Sequence, residues 1–132
     1  MTGAREDDLA DRAVEPQLTD PGELAHRIVD VASDKKGSDI VMLRTAEITT
    51  MADYFVICTG RSERQVQALT QSIVDQLRDD GVRPLGVEGQ GAARWVLIDY
   101  GSVIVHVFAP EEREYYGLER LWSNAAQVVR VV

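Results

Sequence analysis

A β-hairpin predicted between Trp95 and Phe108 constrains the fold of this 132-residue chain more than any other segment. Two stretches of large apolar side chains flank the turn signal Tyr100-Gly101-Ser102, which is the pattern of two antiparallel strands. If the loop has two or four residues, odd-numbered residues of the first strand pair with even-numbered residues of the second. Side chains alternate across a strand, so the two faces of the hairpin then carry different residues. A three-residue loop would change this assignment.

The two faces of the predicted hairpin differ in chemistry. The first face is aliphatic apart from one tyrosine, which is typical of a core; its members are Val96, Ile98, Tyr100, Val103, Val105 and Val107. The second face joins large apolar and aromatic side chains to an acid and an imidazole; its members are Trp95, Leu97, Asp99, Ile104, His106 and Phe108. This mixture is uncommon in cores and common where proteins bind partners. We therefore predict that the second face is a docking surface.

The acidic charge of the chain is concentrated near its N-terminus. The formal net charge is −8; residues 1–23 contribute −5 from seven acids and two bases, and the remainder contributes −3. We predict that residues 1–19 form a disordered acidic tail, because they are polar and poor in large apolar side chains. The sequence contains no run of Lys and Arg, so direct reading of nucleic acid is not expected. A basic protein partner would instead be attracted.

Cysteine usage fits the cytosol or the matrix of an organelle, of which we predict the cytoplasm, and hydropathy predicts a protein that does not enter the membrane. The single Cys58 excludes an intramolecular disulfide, and its apolar surroundings predict a buried thiol. No apolar run approaches the roughly 18–20 residues of a spanning helix, and the N-terminus lacks the apolar core of a signal peptide. His26 and His106 have no short spacing to each other or to Cys58, so we expect neither a metal nor a cofactor.

Residues 20–132 predict one α/β domain in which helices flank a mixed β-sheet. The continuous apolar run Tyr54–Thr59 predicts a central strand buried on both faces. The step from this strand through a helix to the weak strand Val82–Val87 predicts a right-handed βαβ crossover, with the weak strand at an edge. Helix-capping signals occur at three positions: Asp20-Pro21, Ser62 with Gln65, and Pro110. In the last helix we expect Leu118 and Leu121 to face the core.

Two local features have both a structural and a functional interpretation. The turn Thr59-Gly60-Arg61-Ser62 presents N–H groups where a helix begins, which suits an anion, but a glycine turn with a serine cap explains it more simply. His106 lies diagonal to Asp99 in the assumed hairpin. This pair is interpreted either as a cross-strand hydrogen bond or as part of a contact surface.

Several segments resemble one known family, and they occur in the family's order. They are Asp53–Gly60, Ser62–Val66, Val87–Gly89, Trp95–Gly101, Val105–Phe108 and Tyr116–Trp122. Together they resemble the ribosomal silencing factors, also called the RsfS or Iojap family, over about residues 24–122. The acidic tail is not part of the resemblance.

The resemblance implies a small α/β domain with a nucleotidyltransferase-like topology that lacks catalytic carboxylates. It also implies binding to the large ribosomal subunit through ribosomal protein L14, where the bound factor blocks the small subunit and lowers translation when nutrients are scarce. Family members are often homodimers when free. The motif positions and the mixed hairpin face together predict seven partner-binding residues: Trp95, Asp99, Tyr100, His106, Tyr116, Glu119 and Trp122.

Two rival functions are weighed against this expectation. A nucleotidyltransferase-like enzyme would need two acids, one residue apart, on a strand to hold divalent metal. The near miss Glu112-Arg113-Glu114 falls on a predicted helix. We therefore predict that the protein is not an enzyme. The other rival is a generic homodimeric interaction module with a partner outside the ribosome.

Overall fold

The computed structural model describes residues 20–132, and the predicted acidic tail lies outside that range. Helices and strands follow one another in the order that the sequence predicts, except that the last helix is divided. In chain order they are α1 (Pro21–Asp34), β1 (Ser38–Arg44), β2 (Tyr54–Thr59), α2 (Glu63–Asp79), β3 (Gly86–Glu88), β4 (Trp95–Asp99), β5 (Val103–Phe108), α3 (Pro110–Tyr116), α4 (Leu118–Leu121) and β6 (Ala126–Val131).

The two long helices begin at the side-chain caps that the sequence predicts. The Asp20 carboxylate accepts a hydrogen bond from the Glu23 N–H at 3.0 Å. The Ser62 hydroxyl oxygen accepts one from the Gln65 N–H at 3.1 Å. Each cap satisfies an N–H group of the first turn, which has no partner within the helix. Both helices therefore start at fixed points beside the sheet.

The six strands form one mixed sheet in the order β3-β4-β5-β2-β1-β6. β2 is central and buried, as predicted, between antiparallel β1 and parallel β5. The predicted direct crossover from β2 to the next strand was wrong, because β3 pairs antiparallel with β4 at the far edge of the sheet. The parallel neighbour of β2 is instead β5, which follows α2, β3 and β4 in the chain. β3 does occupy an edge, as predicted.

The hairpin has the register that the sequence predicts. Trp95 pairs with Phe108, Leu97 with His106 and Asp99 with Ile104, so odd residues of β4 oppose even residues of β5. The aliphatic face packs into the larger core. The second face packs into a separate apolar cluster.

The two faces of the whole sheet are covered unequally. On one face, α1 and α2 bury their apolar sides in the larger core, through residues such as Ile28, Leu69 and Ile73. The opposite face carries a smaller cluster, formed by Val41, Leu43, Ala52, Phe55, Ile57, Ile104 and Phe108. That smaller cluster is covered by the chain around α4, where Leu118, Trp122 and Ala125 are only partly buried. Short cover over an apolar face leaves side chains of that face near solvent.

Candidate functional site

A connected series of rings, here called the aromatic row, crosses the second face of the sheet. In spatial order its members are Tyr116, Trp95, Phe108, His106, Phe55 and Trp122. Neighbouring ring centroids are 4.5 to 6.1 Å apart, within the range of favourable aromatic pairs. The row joins β2, β4 and β5 to the segment that contains α3 and α4.

The middle of the aromatic row is buried and its ends reach the surface. Phe55, Phe108 and His106 are buried, whereas Trp95 and Trp122 are half-buried. Tyr116 is 43% exposed, and beyond the row Tyr115 and Leu121 are 80% and 72% exposed. We define Tyr115, Tyr116 and Leu121 as the exposed rim. Tyr115 and Tyr116 lie at the Trp95 end of the row, and Leu121 is next in sequence to Trp122 at the other end.

The backbone turn at Gly117 creates this rim and corrects two predictions. Gly117 has φ 54° and ψ 45°, the left-handed conformation that ends α3 before α4 begins. The single last helix that the sequence predicts is therefore two short helices. Leu118 packs on the smaller cluster, as predicted. Leu121 was also predicted to face the core, but the turn directs it to solvent.

His106 is held by Trp95 and not by Asp99. The Trp95 indole Nε1–H donates to His106 Nδ1 at 3.2 Å. Asp99 accepts a hydrogen bond from the Gly101 N–H at 2.7 Å, so the interpretation of Asp99 and His106 as a cross-strand hydrogen-bonded pair is wrong. Because Nδ1 accepts, the neutral imidazole carries its proton on Nε2, which is buried without a partner within residues 20–132. Burial lowers the pKa of His106 to about 4.

Tyr100 lies apart from the other predicted site residues. It belongs to the larger core on the opposite face of the sheet and is 8% exposed. Burial raises the pKa of its phenol, whose hydroxyl has no hydrogen-bond partner among the described residues. Tyr100 and Trp95 both belong to the hairpin, but alternation across the strand places them on opposite faces.

Glu119 is part of an ion-pair network that the sequence did not reveal. The buried Arg113 donates from Nε to Glu119 at 3.0 Å, and from Nη1 to the Asp39 carbonyl at 2.7 Å and the Thr59 hydroxyl at 2.8 Å. Arg130 completes the network through the carboxylates of Asp39 and Glu119. The hydrogen bond from Arg113 holds the pKa of Glu119 below its usual range. In the sequence, Glu112-Arg113-Glu114 looks like a solvated helix face, and no local pattern indicates a buried guanidinium.

A second arginine fixes the start of α3. Arg94 donates to Glu112 at 2.9 Å and to Glu111 at 2.9 Å, and it lies 3.3 Å from Glu63 at the start of α2. These bonds join the beginning of β4 to two helices. They hold Tyr116, one turn further along α3, beside Trp95.

The described residues give no sign of a metal centre. Between residues 20 and 132, no three side chains of His, Cys, Asp or Glu are grouped so that they could hold an ion. None of the helices within this range is both long and apolar enough to cross a membrane.

Fold and site together define a small α/β protein with one mixed sheet, whose less covered face carries an aromatic row that ends at an exposed rim. A family model described as "Ribosomal silencing factor during starvation" matches residues 18–131. The chain therefore belongs to the ribosomal silencing factor family, which confirms the resemblance seen in the sequence.

Individual relatives are similar over most of their length. The ribosomal silencing factor RsfS of Bacillus subtilis (strain 168) is 49% identical over 92 residues, which are 70% of this chain and 78% of the relative. The protein of the same name from Halalkalibacterium halodurans is 44% identical over 106 residues, covering 80% and 91%. A crystal structure of a Chromobacterium violaceum protein has a TM-score of 0.77 at 36% identity, and the match covers 86% and 94% of the two chains. These similarities confirm the mixed α/β fold.

Proposed function

We propose that this protein silences ribosomes by binding the large ribosomal subunit on ribosomal protein L14 and excluding the small subunit. Proteins named ribosomal silencing factor are 49% and 44% identical to it, which supports a role in repressing translation. The mechanism is steric occlusion and requires no chemistry on a substrate. We further propose that the protein acts in the cytoplasm and is a homodimer when free.

The observation that carries this proposal is the exposed rim at the two ends of the aromatic row. Exposed aromatic and aliphatic side chains that are rigidly supported make good anchors, because little conformational entropy is lost when they bind. A few such anchors supply most of the free energy of an interface, at about 2 kcal/mol or more each. The rim carries Tyr115, Tyr116 and Leu121, with 43% to 80% of each exposed.

The proposed contact set retains four of the seven residues expected from the sequence. Tyr116 touches the partner directly, and Trp95, Glu119 and Trp122 contribute the parts of their side chains that reach solvent. The other three are left out for structural reasons. Tyr100 and His106 are buried, and Asp99 is bound to the backbone of its own turn.

Glu119 contributes to partner binding differently from the sequence expectation. Its two carboxylate oxygens already contact Arg113 and Arg130. A cation of the partner would share these oxygens and gain less than from an unpaired carboxylate. We therefore propose that Glu119 mainly fixes the orientation of α4, and that the apolar rim supplies the affinity.

Co-sedimentation with purified ribosomal subunits tests the proposal. We expect the wild-type protein to pellet with the large subunit and not with the small one. Tyr116→Ala and Leu121→Ala should weaken this association at least tenfold. Leu85→Ala is the matched control, because Leu85 is 77% exposed but lies far from Trp95. Its N–H donates to the carbonyl of Asp99, and Asp99 and Trp95 are at opposite ends of β4.

Two outcomes would overturn the proposal. One is equal pelleting of Leu121→Ala and Leu85→Ala, with circular dichroism showing that both are folded. The other is normal joining of the two subunits, followed by light scattering, when the large subunit is saturated with wild-type protein. L14 is tested by repeating the sedimentation with large subunits assembled without it, to which the protein should not bind.

A further inference from the structure

Four cationic residues lie on two adjacent turns. Lys35 and Lys36 follow α1, and Arg61 and Arg64 lie where α2 begins. The Gln65 side chain joins the two turns, since its Nε2 donates to the Lys36 carbonyl at 3.0 Å and its Oε1 accepts from the Arg61 N–H at 2.6 Å. We call Lys35, Lys36, Arg61 and Arg64 the cationic patch.

The cationic patch is not neutralised by carboxylates in the described part of the chain. All four side chains are exposed, and none of them lies within 4.0 Å of a carboxylate oxygen from residues 20–132. Of the nearby acids, Asp39 pairs with Arg130 and Glu63 with Arg94. Asp34, which precedes Lys35 in the sequence, forms no ion pair within residues 20–132. The patch is thus locally positive although the chain carries a net charge of −8.

The cationic patch lies at the same end of the sheet as Tyr116 of the exposed rim, which packs on Trp95. Thr59, which ends β2 just before Arg61, pairs with Phe108, and Phe108 pairs with Trp95 in the aromatic row. Thr59 also accepts a hydrogen bond from Arg113 of α3. A large partner that contacts the rim can therefore contact the patch as well.

We propose that the cationic patch binds the phosphate backbone of ribosomal RNA; this inference rests on the proposed function. Unpaired Arg and Lys side chains on a shared surface are complementary to closely spaced phosphates, and a guanidinium can bind a phosphate through two hydrogen bonds. Such contacts position a protein without reading base sequence. They would orient the protein on the subunit while the rim contacts ribosomal protein.

The salt dependence of binding to the large subunit tests this proposal. The double variant Arg61→Gln/Arg64→Gln should bind about tenfold more weakly near physiological salt. Its plot of log Kd against log salt concentration should lose about two units of slope, because about one counterion fewer is released for each phosphate contact removed. The matched control is Arg44→Gln/Arg83→Gln. It removes two other exposed arginines that form no ion pair within residues 20–132. Arg44 pairs with Tyr54, at the opposite end of β2 from Thr59.

The outcomes separate failure of this inference from failure of the proposed function. An unchanged affinity and slope for Arg61→Gln/Arg64→Gln, beside weak binding of Tyr116→Ala, would overturn the RNA contact and leave the proposed function intact. If wild-type protein does not bind the subunit, the proposed function fails, and protein-free ribosomal RNA becomes the probe for the patch. Salt-sensitive binding to that RNA, lost in Arg61→Gln/Arg64→Gln, would support the patch, and no binding would overturn it.

The acidic N-terminal segment of this same chain is the rival occupant of the patch. It is tested in the full-length protein by neutralising its acids, with Glu6→Gln, Asp7→Asn, Asp8→Asn, Asp11→Asn and Glu15→Gln. An effect of Arg61→Gln/Arg64→Gln that persists in this background supports the RNA contact. An effect that disappears assigns the patch to the N-terminal segment and overturns the RNA contact.

Discussion

The indole Nε1 of Trp95 donates a hydrogen bond to Nδ1 of His106 over 3.2 Å, which links a half-buried ring to a buried base. The register of β4 and β5 places both side chains on the same face of the sheet. The bond exists only while the imidazole is neutral, because a protonated ring has no lone pair on Nδ1. The position of Trp95, a proposed contact residue, therefore depends on the protonation state of the buried His106.

We predict that acid destabilises the protein through His106. Burial lowers the pKa of the folded-state imidazole to about 4, below the ordinary value for an unfolded chain. When the pKa of a group is lower in the folded state than in the unfolded state, its contribution to stability is complete at pH values above the unfolded-state pKa. That contribution is lost as the pH falls toward the folded-state pKa. His106 should therefore reduce the free energy of unfolding by about 3 kcal/mol between pH 7 and pH 4. Urea denaturation at a series of pH values measures this loss.

The control for this prediction is His106→Asn, whose amide oxygen can still accept from the Trp95 indole but does not titrate. Carboxylates contribute the same pH dependence to both proteins, so the difference between the two curves reports His106 alone. Parallel curves for wild type and His106→Asn from neutral to acid pH would contradict the assignment.

Loss of the Arg113 guanidinium should destabilise the fold. In Arg113→Met the Thr59 hydroxyl and the Asp39 carbonyl lose this donor, and the Glu119 carboxylate keeps only its bond from Arg130. We expect the free energy of unfolding to fall by about 3 kcal/mol, which is at the lower end of the range for breaking a buried ion pair. The lower end applies because the Glu119 side chain is partly exposed to water. Arg78→Met is the control, since its pair with Asp75 is exposed and its loss should cost less than about 1 kcal/mol. Similar denaturation midpoints for the two variants would show that the network does not stabilise the fold.

Gly89 should tolerate no side chain. Its φ is +87°, and an added Cβ would lie 2.1 Å from the carbonyl oxygen of Trp95, a backbone atom fixed by β4. Gly89→Ala should therefore lower stability by about 3 kcal/mol, from the strained dihedral and the displacement of β4. Gly91→Ala is the matched control in the same loop, because no heavy atom lies within 4 Å of the new Cβ. Thermal denaturation of the two variants compares these costs, and equal melting temperatures would refute the prediction.

Cys58 should be unreactive in the folded protein. Burial in the apolar core raises the pKa of its thiol to about 12, so almost no thiolate forms at neutral pH. An aromatic disulfide reagent at pH 8 should leave the native protein unmodified and should titrate one thiol per chain in concentrated urea. Rapid reaction of one equivalent with native protein would show that this strand opens readily.

Local sequence signals predicted the features that depend on local geometry. Alternation with a period of two identified the register of the hairpin from Trp95 to Phe108, because shifting one strand by one residue would expose its aliphatic face. The caps at Asp20 and Ser62 were predictable because a side-chain oxygen satisfies an N–H group only three residues away.

The pairing of distant segments was not predictable in the same way. The parallel neighbour of β2 is β5, more than forty residues later, and nothing in either apolar strand specifies the other. Arg113 looked like a surface residue because its partners Asp39, Thr59 and Glu119 come from three different elements. The cationic patch was missed for the same reason, since two turns far apart in sequence meet only in the fold.

The sequence by itself determined the α/β class, the hairpin with two unlike faces, the central buried strand and the family resemblance. Each of these follows from periodicity, capping or local motifs. Only the tertiary structure decided which side chains of those motifs remain available to a partner. Burial depends on what packs over a residue, so Tyr100 is enclosed by the helices on one face while Tyr116 stays at the rim of the other.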